Sequence, residues 1–191
     1  RYSMIFPDSF PVIYIDELVL EKPLIKHFKD IFEIFGNEEV VMYDIFPIMT
    51  DCEQAKSYIE RYAKEFAERE EITWIIHDRS SEESVGVCCL GDFDFDSERC
   101  EIGYDIKRRF WNQGYATKAV KAVTEYAFMK IGINRIEAFI SPENKASIRV
   151  LEKCGYSYEG LLRQRDLIKG KLEDAYVMAL LKDEYKKSLL R

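Results

Sequence analysis

The stretch from Cys100 to Ala127 constrains the fold more than any other part of the chain. Cys100-Glu101-Ile102-Gly103-Tyr104-Asp105-Ile106 alternates apolar residues with polar or small ones, the period of a strand. Ala116, Ala119, Val120, Val123 and Ala127 then recur at helical spacing, so a helix is expected to begin near Tyr115. Between the two lies Trp111-Asn112-Gln113-Gly114. A strand, a short glycine-bearing loop and a helix N-terminus leave several backbone N–H groups unpaired at the positive end of a helix dipole. Such a junction suits a pyrophosphate. Gly114 has no Cβ to keep a ligand off the backbone. A plain turn before a helix carries the same pattern, and on this segment alone both readings stand.

A second segment adds to the first. It is Asn144-Lys145-Ala146-Ser147-Ile148-Arg149-Val150-Leu151-Glu152-Lys153-Cys154-Gly155-Tyr156, with Glu159-Gly160 just after it. Together the two resemble the GNAT superfamily of N-acetyltransferases, which bind acetyl-CoA. The signature there is Gln/Arg-x-x-Gly-x-Gly/Ala at a helix start, then Asn-x-x-Ser/Ala and a Leu-Glu-Lys-x-Gly-Phe/Tyr run. Gly114 and Ala116 fit it, while Trp111 stands where the signature has Gln or Arg. That form is similar to the branch containing the ribosomal-protein N-terminal acetyltransferases. The likeness extends from Leu18-Val19-Leu20 to Tyr176-Val177-Met178-Ala179-Leu180.

The 191 residues are expected to form a single acetyl-CoA-binding domain spanning 1–191, with 47% hydrophobic and 33% charged residues in the range of globular proteins. No uninterrupted apolar run approaches the length of a membrane span. A net charge of −7 argues against nucleic acid as the main partner and is compatible with a cationic amine or basic peptide. The five cysteines include no Cys-x-x-Cys, and only two histidines could join them, so no metal site is expected. A reducing cytoplasm is the simplest setting for such a set. The sequence gives no oligomeric state; a homodimer is compatible with it.

Along the chain, Val12 to Leu20 reads as a first strand and Lys26 to Phe35 as an amphipathic helix. Thr50-Asp51-Cys52-Glu53 resembles a capping box, with Thr50 as N-cap, opening a helix through Tyr58, Ile59, Tyr62 and Phe66. Ile72–His77 and Val85–Leu90 are further strands, and Phe93–Ser97 suits the bend before the strand at Cys100. After the helix at Tyr115, Gly132-Ile133-Asn134 ends it, and Arg135–Ile140 is a strand. Pro142–Lys153 is a short helix, and Tyr156–Leu162 and Asp174–Leu181 are the last strands, turning at Lys169-Gly170-Lys171. Adjacent strands mixed with crossover helices indicate an α/β domain of GNAT type, with a mixed, mostly antiparallel central sheet flanked by helices. A dinucleotide-binding Rossmann domain would need Gly-x-Gly-x-x-Gly early in a βαβ unit, which the single late Gly114 does not satisfy.

The resemblance implies roles for particular residues. Pantetheine and pyrophosphate fall to the strand Glu101–Ile106, expected to splay from its neighbour, and to the loop Gln113, Gly114, Tyr115, Ala116 and Thr117. The oxyanion donor is expected near Tyr104 to Ile106. Arg108 and Arg109 flank the loop and are suited either to phosphate or to solvent; Lys118 has the same two options, and Trp111 reads as a support for the loop. Asn144 matches the asparagine that steadies the pantetheine, and equally suits a helix cap. Many family members have a proton-donating tyrosine where this chain has Leu151. In the ribosomal-protein branch the serine matching Ser147 is the proposed donor instead. Asp166 occupies the position of a proposed catalytic glutamate, and Glu101 competes with it as base. Glu159 and Asp174 read as architecture.

The function so implied is acetyl-CoA-dependent transfer of an acetyl group directly to a primary amine, first of all a protein N-terminal amine. The alternatives are a small-molecule amine (polyamine, aminoglycoside or amino-acid derivative) and a non-catalytic acyl-CoA sensor. The acceptor pocket is expected from the first two helices and the Lys169–Lys171 turn, with Phe32, Phe35, Tyr43 and Phe46 as candidate lining or core.

Overall fold

The computed structural model describes residues 4–191. Eight strands form one sheet: β1 (Ile13–Ile15), β2 (Leu18–Glu21), β3 (Ile72–Asp78), β4 (Glu83–Asp94), β5 (Arg99–Ile106), β6 (Arg135–Ile140), β7 (Ser157–Ile168) and β8 (Lys171–Leu181). Their order is β1-β2-β3-β4-β5-β6-β8-β7. The helices are α1 (Phe28–Phe35), α2 (Cys52–Ala67), α3 (Tyr115–Tyr126), α4 (Lys145–Lys153) and α5 (Lys182–Ser188). This is the mixed, mostly antiparallel sheet with flanking helices that the segment order implied. None of the described helices is long and apolar enough to cross a membrane.

Every strand pair is antiparallel except β5 with β6. That parallel ladder holds only Arg99, Cys100 and Glu101 against Arg135, Ile136 and Glu137. Beyond Glu101 the two strands part, so the amides of β5 that face β6 have no strand partner there. Such groups must find another acceptor when buried. β4 meanwhile pairs with β5 along its length, setting Gly91 against Glu101, Cys89 against Gly103 and Val87 against Asp105.

Strand side chains alternate between faces. Ile102 and Ile106 accordingly pack with Ala119, Val120 and Val123 of α3, in the larger core that also holds Trp74 and Leu90. Val87 lies on the opposite face, in a second core built by α1 and α2 around Ile31, Ile34, Ile59 and Ile75. The register then puts Tyr104 on the α3–α4 side of the sheet, and Glu101, Gly103 and Asp105 on the α1–α2 side.

Four local expectations are corrected. The first strand is a hairpin, β1 and β2, turning at Asp16 in the left-handed region (φ 50°). The N-cap of α2 is Asp51 and not Thr50. Its carboxylate accepts from Gln54 N at 3.1 Å, while Gln54 Oε1 accepts from Asp51 N at 3.3 Å and Thr50 N at 2.7 Å. Glutamine at the third position completes a capping box as well as glutamate does, which shifts the start by one residue. The helix after Pro142 starts only at Lys145, behind its cap Asn144. Finally, β7 runs on to Ile168, and α5 follows β8 directly, where Glu184 Oε1 accepts from Leu181 N at 3.0 Å.

Candidate active site

At the start of α3, Gly114 is the N-cap and lies at φ +84°. The first bond of this helix is Lys118 N to Gly114 O at 3.1 Å. No acceptor among the described residues meets the amides of Tyr115, Ala116 and Thr117. A Cβ built on Gly114 would meet nothing within 4 Å. Open space over free N–H groups at a helix N-terminus is what a phosphate requires. Two side chains hold this loop from below. Trp111 Nε1 donates to Ile106 O at 2.8 Å, tying the loop to the end of β5. Tyr115 donates its hydroxyl to Asp78 Oδ2 at 2.6 Å. Burial opposes ionisation of Asp78, but hydrogen bonds from Ser80, Tyr115 and the Ser80 and Ser81 amides outweigh it, bringing its carboxyl down to about 2.

The cations beside the loop are already paired. Arg109 Nε lies 3.1 Å from Glu33 and its Nη2 3.2 Å from Glu83. Arg108 pairs with Glu39 at 2.9 Å, and Lys118 with Glu17 at 2.8 Å. Arg109 is thus held between two carboxylates at the surface. Gln113 joins the loop by donating Nε2 to Arg109 O at 3.2 Å.

On α4, Asn144 Oδ1 accepts from Ser147 N at 3.2 Å, so its oxygen serves as the helix cap. Ser147 Oγ lies 2.5 Å from the Tyr104 hydroxyl, linking α4 to β5 beside the gap between β5 and β6. Burial raises the Tyr104 phenol well above its ordinary value, against the Ser147 hydrogen bond, and so keeps its proton on. The sequence placed Tyr104 with cofactor binding; its contact with Ser147 joins two hydroxyls into one unit.

The two candidate bases differ in their surroundings. Asp166 on β7 pairs with Arg165 Nη1 at 3.0 Å, and Arg165 stacks 3.8 Å from the Phe139 ring. Glu101 is raised to about 7, first by burial, with Asp92, Glu137 and Asp166 adding repulsion against the pull of Arg165. It sits at the last pair of the β5–β6 ladder, where the strands part.

A cavity of about 300 Å³ opens on the α1–α2 face and reaches β5 at Tyr104 and Asp105. Phe35 and Phe46 line it, joined by Tyr58 and Tyr62 of α2. Phe32 packs instead beside the second core, and Tyr43 does not line the cavity. The β7–β8 turn is tied to the α1–α2 loop, Lys169 Nζ donating to Val41 O at 2.6 Å and to Asp44 O at 3.0 Å. Sequence reading missed Arg61, Glu65, Glu71 and Asp105 in the lining. The i, i+4 spacing of Tyr58 with Tyr62 and of Arg61 with Glu65 was the available signal. No group of three or more potential metal ligands occurs among the described residues.

Residues 17–157 match the family described as acetyltransferase (GNAT) domain. The chain belongs to the GNAT acetyltransferase family. It is 34% identical to the uncharacterized N-acetyltransferase p20 of Bacillus licheniformis, over 91% of this chain and 97% of that one. Among solved structures, the fold is similar to RimL, a ribosomal L7/L12 alpha-N-protein acetyltransferase in complex with coenzyme A. That likeness has a TM-score of 0.83 at 18% identity and covers 91% of this chain and 99% of the other. It is also similar to the spermidine N-acetyltransferase of Vibrio cholerae, solved with CoA and spermine. There the TM-score is 0.79 at 19% identity, with 89% and 98% covered. These likenesses establish the fold and leave the acceptor open. In this chain the open Gly114 position, the free amides of α3 and the parting of β5 from β6 fit a CoA thioester.

Proposed function

We propose that this GNAT protein transfers an acetyl group from acetyl-CoA directly to the primary amine of a small cationic acceptor. The observation that carries this reading is the parting of β5 from β6, with the Tyr104–Ser147 pair on one side of the sheet and Glu101 on the other. Acetyl-CoA supplies an activated acetyl group. The amides of Tyr115, Ala116 and Thr117 bind its pyrophosphate, Gly114 permits the close approach, and the unpaired amides of β5 donate to the pantetheine and polarise the thioester carbonyl. Glu101, raised to about 7, is suited to take a proton from an ammonium near neutral pH. Tyr104 and Ser147 hold a proton for the sulfur as the C–S bond breaks and the N–C bond forms. Asp166, paired with Arg165, acts on Glu101 by charge rather than on the amine.

Direct attack is favoured over a cysteine intermediate. Burial raises the thiols of Cys88 and Cys89, which disfavours the nucleophilic thiolate. The sequence resemblance put a protein N-terminal amine first, and RimL acts on such a substrate by its name. The cavity supports a smaller acceptor. Its 300 Å³ lies at the low end of the roughly 300–1,000 Å³ of small-molecule sites, and carboxyl groups line it.

The test uses labelled acetyl-CoA with a panel of alkylamines and of peptides with free N-termini. Transfer to alkylamines above the peptides is expected. Gly114→Val should abolish transfer by filling the cradle and straining a φ of +84°. Transfer confined to peptides would restore the N-terminal reading, and acetyl-CoA binding without transfer to any amine would make the protein a sensor.

A further inference from the structure

Strand β7 is interrupted where it passes the seam between β5 and β6. Leu162 stands opposite Ala175 of β8 and Asp166 opposite Glu173, so the three residues between them face Asp174 alone. A bulge takes up the excess and re-aims the side chains that follow it. Gln164 lies in the left-handed region (φ 51°), and its amide donates to Asp174 Oδ1 at 2.8 Å in place of a ladder partner. Arg165 comes next. From β7 its side chain reaches across β8 to β6, where the guanidinium lies 3.8 Å from the centre of the Phe139 ring. One nitrogen, Nη1, donates to both oxygens of Asp166 at 3.0 and 3.2 Å, and the guanidinium keeps further donors.

The strand register places this cation beside Glu101. Glu101 is opposite Glu137, at the last pair before the strands part. Phe139 is two residues beyond Glu137, on the same face of β6 and about 7 Å further along. Arg165 therefore sits over the open end of the seam, one step past Glu101. The other arginines of this face are engaged elsewhere. Arg99 binds Asp94 at 3.0 Å and lies 3.6 Å from Glu137, while Arg135 binds Glu159 at 2.6 Å and Glu137 at 3.2 Å. β8 offers only apolar Val177 and Ala179 opposite Phe139 and Glu137. Asp92 of β4, Glu137 and Asp166 repel a charge on Glu101, and Glu71 packs over Gly91, the β4 residue opposite it. Burial acts in the same direction as these carboxylates, and Arg165 is the cation that opposes them.

We propose that Arg165 is a positioning residue for acetyl transfer: aimed by the β7 bulge and seated on Phe139, it holds Glu101 ionised at the seam, ready to take the acceptor's proton. The inference rests on the reading of Glu101 as the base and names the residue that sets it. Arg165 acts through Glu101 and not on the reacting atoms. Asp166 limits the effect by drawing on the same guanidinium, which keeps Glu101 from becoming too weak a base.

The experiment follows kcat/KM between about pH 5.5 and 9.5 for an amine that wild type acetylates, at saturating acetyl-CoA. Each variant is taken as a ratio to wild type, so that the amine's own ionisation cancels. Wild type should show an acid limb at about 7 that Glu101→Gln removes. Arg165→Met loses an attractive charge, which raises the carboxyl and moves the limb upward. The Arg165 side chain is 35% exposed, so water screens it and the effect falls at the lower end for a neighbouring charge. At about pH 6 the ratio should drop roughly three- to tenfold, and at about pH 9.5 it should return close to one. Arg165→Lys, which keeps the charge, should hold the limb near its wild-type position, and Asp166→Asn should move it the opposite way. A residue that merely supports the hairpin would lower the rate alike at every pH. Circular dichroism and retained acetyl-CoA affinity check that the fold and the donor site survive. An unmoved limb in Arg165→Met, with transfer intact and Glu101→Gln still removing the limb, would overturn the role of Arg165 and leave Glu101 as the base. A limb moved as far by Arg165→Lys as by Arg165→Met would overturn it as well. If Glu101→Gln leaves the limb in place, the reading of Glu101 as base fails, and the role of Arg165 with it.

Discussion

Tyr104 and Ser147 are 43 positions apart in the chain and 2.5 Å apart in space, and the proton they hold is expected to set the rate of thiolate release. Ser147→Ala and Tyr104→Phe should each lower kcat by about 10²-fold, the usual scale for losing a general acid, with acetyl-CoA affinity little changed by calorimetry. Loss of affinity in place of kcat would make the pair a binding element. Glu101 gives a separate signature. Below about 7 it is protonated and cannot accept a proton, so the rate should fall as pH drops through that value. Glu101→Gln should depress the rate and remove this limb from the pH–rate profile, whereas Asp166→Asn should shift the limb downward by relieving repulsion. A flat response to Glu101→Gln alongside a crippled Asp166→Asn would move the base to β7. Sequence motifs alone put forward Ser147, Glu101 and the loop at Gly114 as candidates. They could not reveal that Arg109 spends its charge on Glu33 and Glu83, because those partners lie on α1 and β4. Asp105 and Glu71 were missed for the same reason: each is an ordinary surface carboxylate until folding sets another carboxyl beside it.

At the scale of elements, alternation along β5 places proton donors and carboxylates on opposite faces of one strand, and the gap beside it joins the two faces. Periodicity was sufficient to locate β3, β5, α3 and β6, whose apolar positions are packed on both sides or along one stripe. It failed for β1 and β2, where a two-residue turn at Asp16 interrupts an apolar run without glycine or proline to mark it. It also failed for the length of β7, whose side chains are mostly exposed and so carry little apolar period. The β7–β8 turn connects function to this architecture through Lys169, which holds the α1–α2 loop by two carbonyl oxygens. Lys169→Met should loosen the loop that carries Asp44 and raise the acceptor KM roughly three- to tenfold, in line with losing one or two modest hydrogen bonds. Acetyl-CoA binding, which we assign to α3 on the other face, should not follow. A matching rise in the KM for acetyl-CoA would mean that the turn supports the whole site.

For the whole molecule, the proposed donor site spans a short seam of the sheet. Among the pairings of β5, only three residues join it to β6, and the amides beyond them lack strand partners. A ligand that fills that gap binds the folded chain and not the unfolded one, so it must stabilise the protein by mass action. At a hundred times its Kd, CoA should add about 2.7 kcal/mol to the unfolding free energy. For a domain of this size, with about 2–4 °C per kcal/mol, the expected rise in Tm is roughly 5–11 °C by differential scanning calorimetry. Gly114→Val should lose this rise while keeping most of the fold, since an added side chain there meets open space within the protein and only its φ of +84° is strained. Ser147→Ala should keep the rise, because that hydroxyl acts in the chemical step. A variant at Gly114 that retained the full ligand-induced shift would place the pyrophosphate away from α3, and the cradle of free amides would then need another occupant.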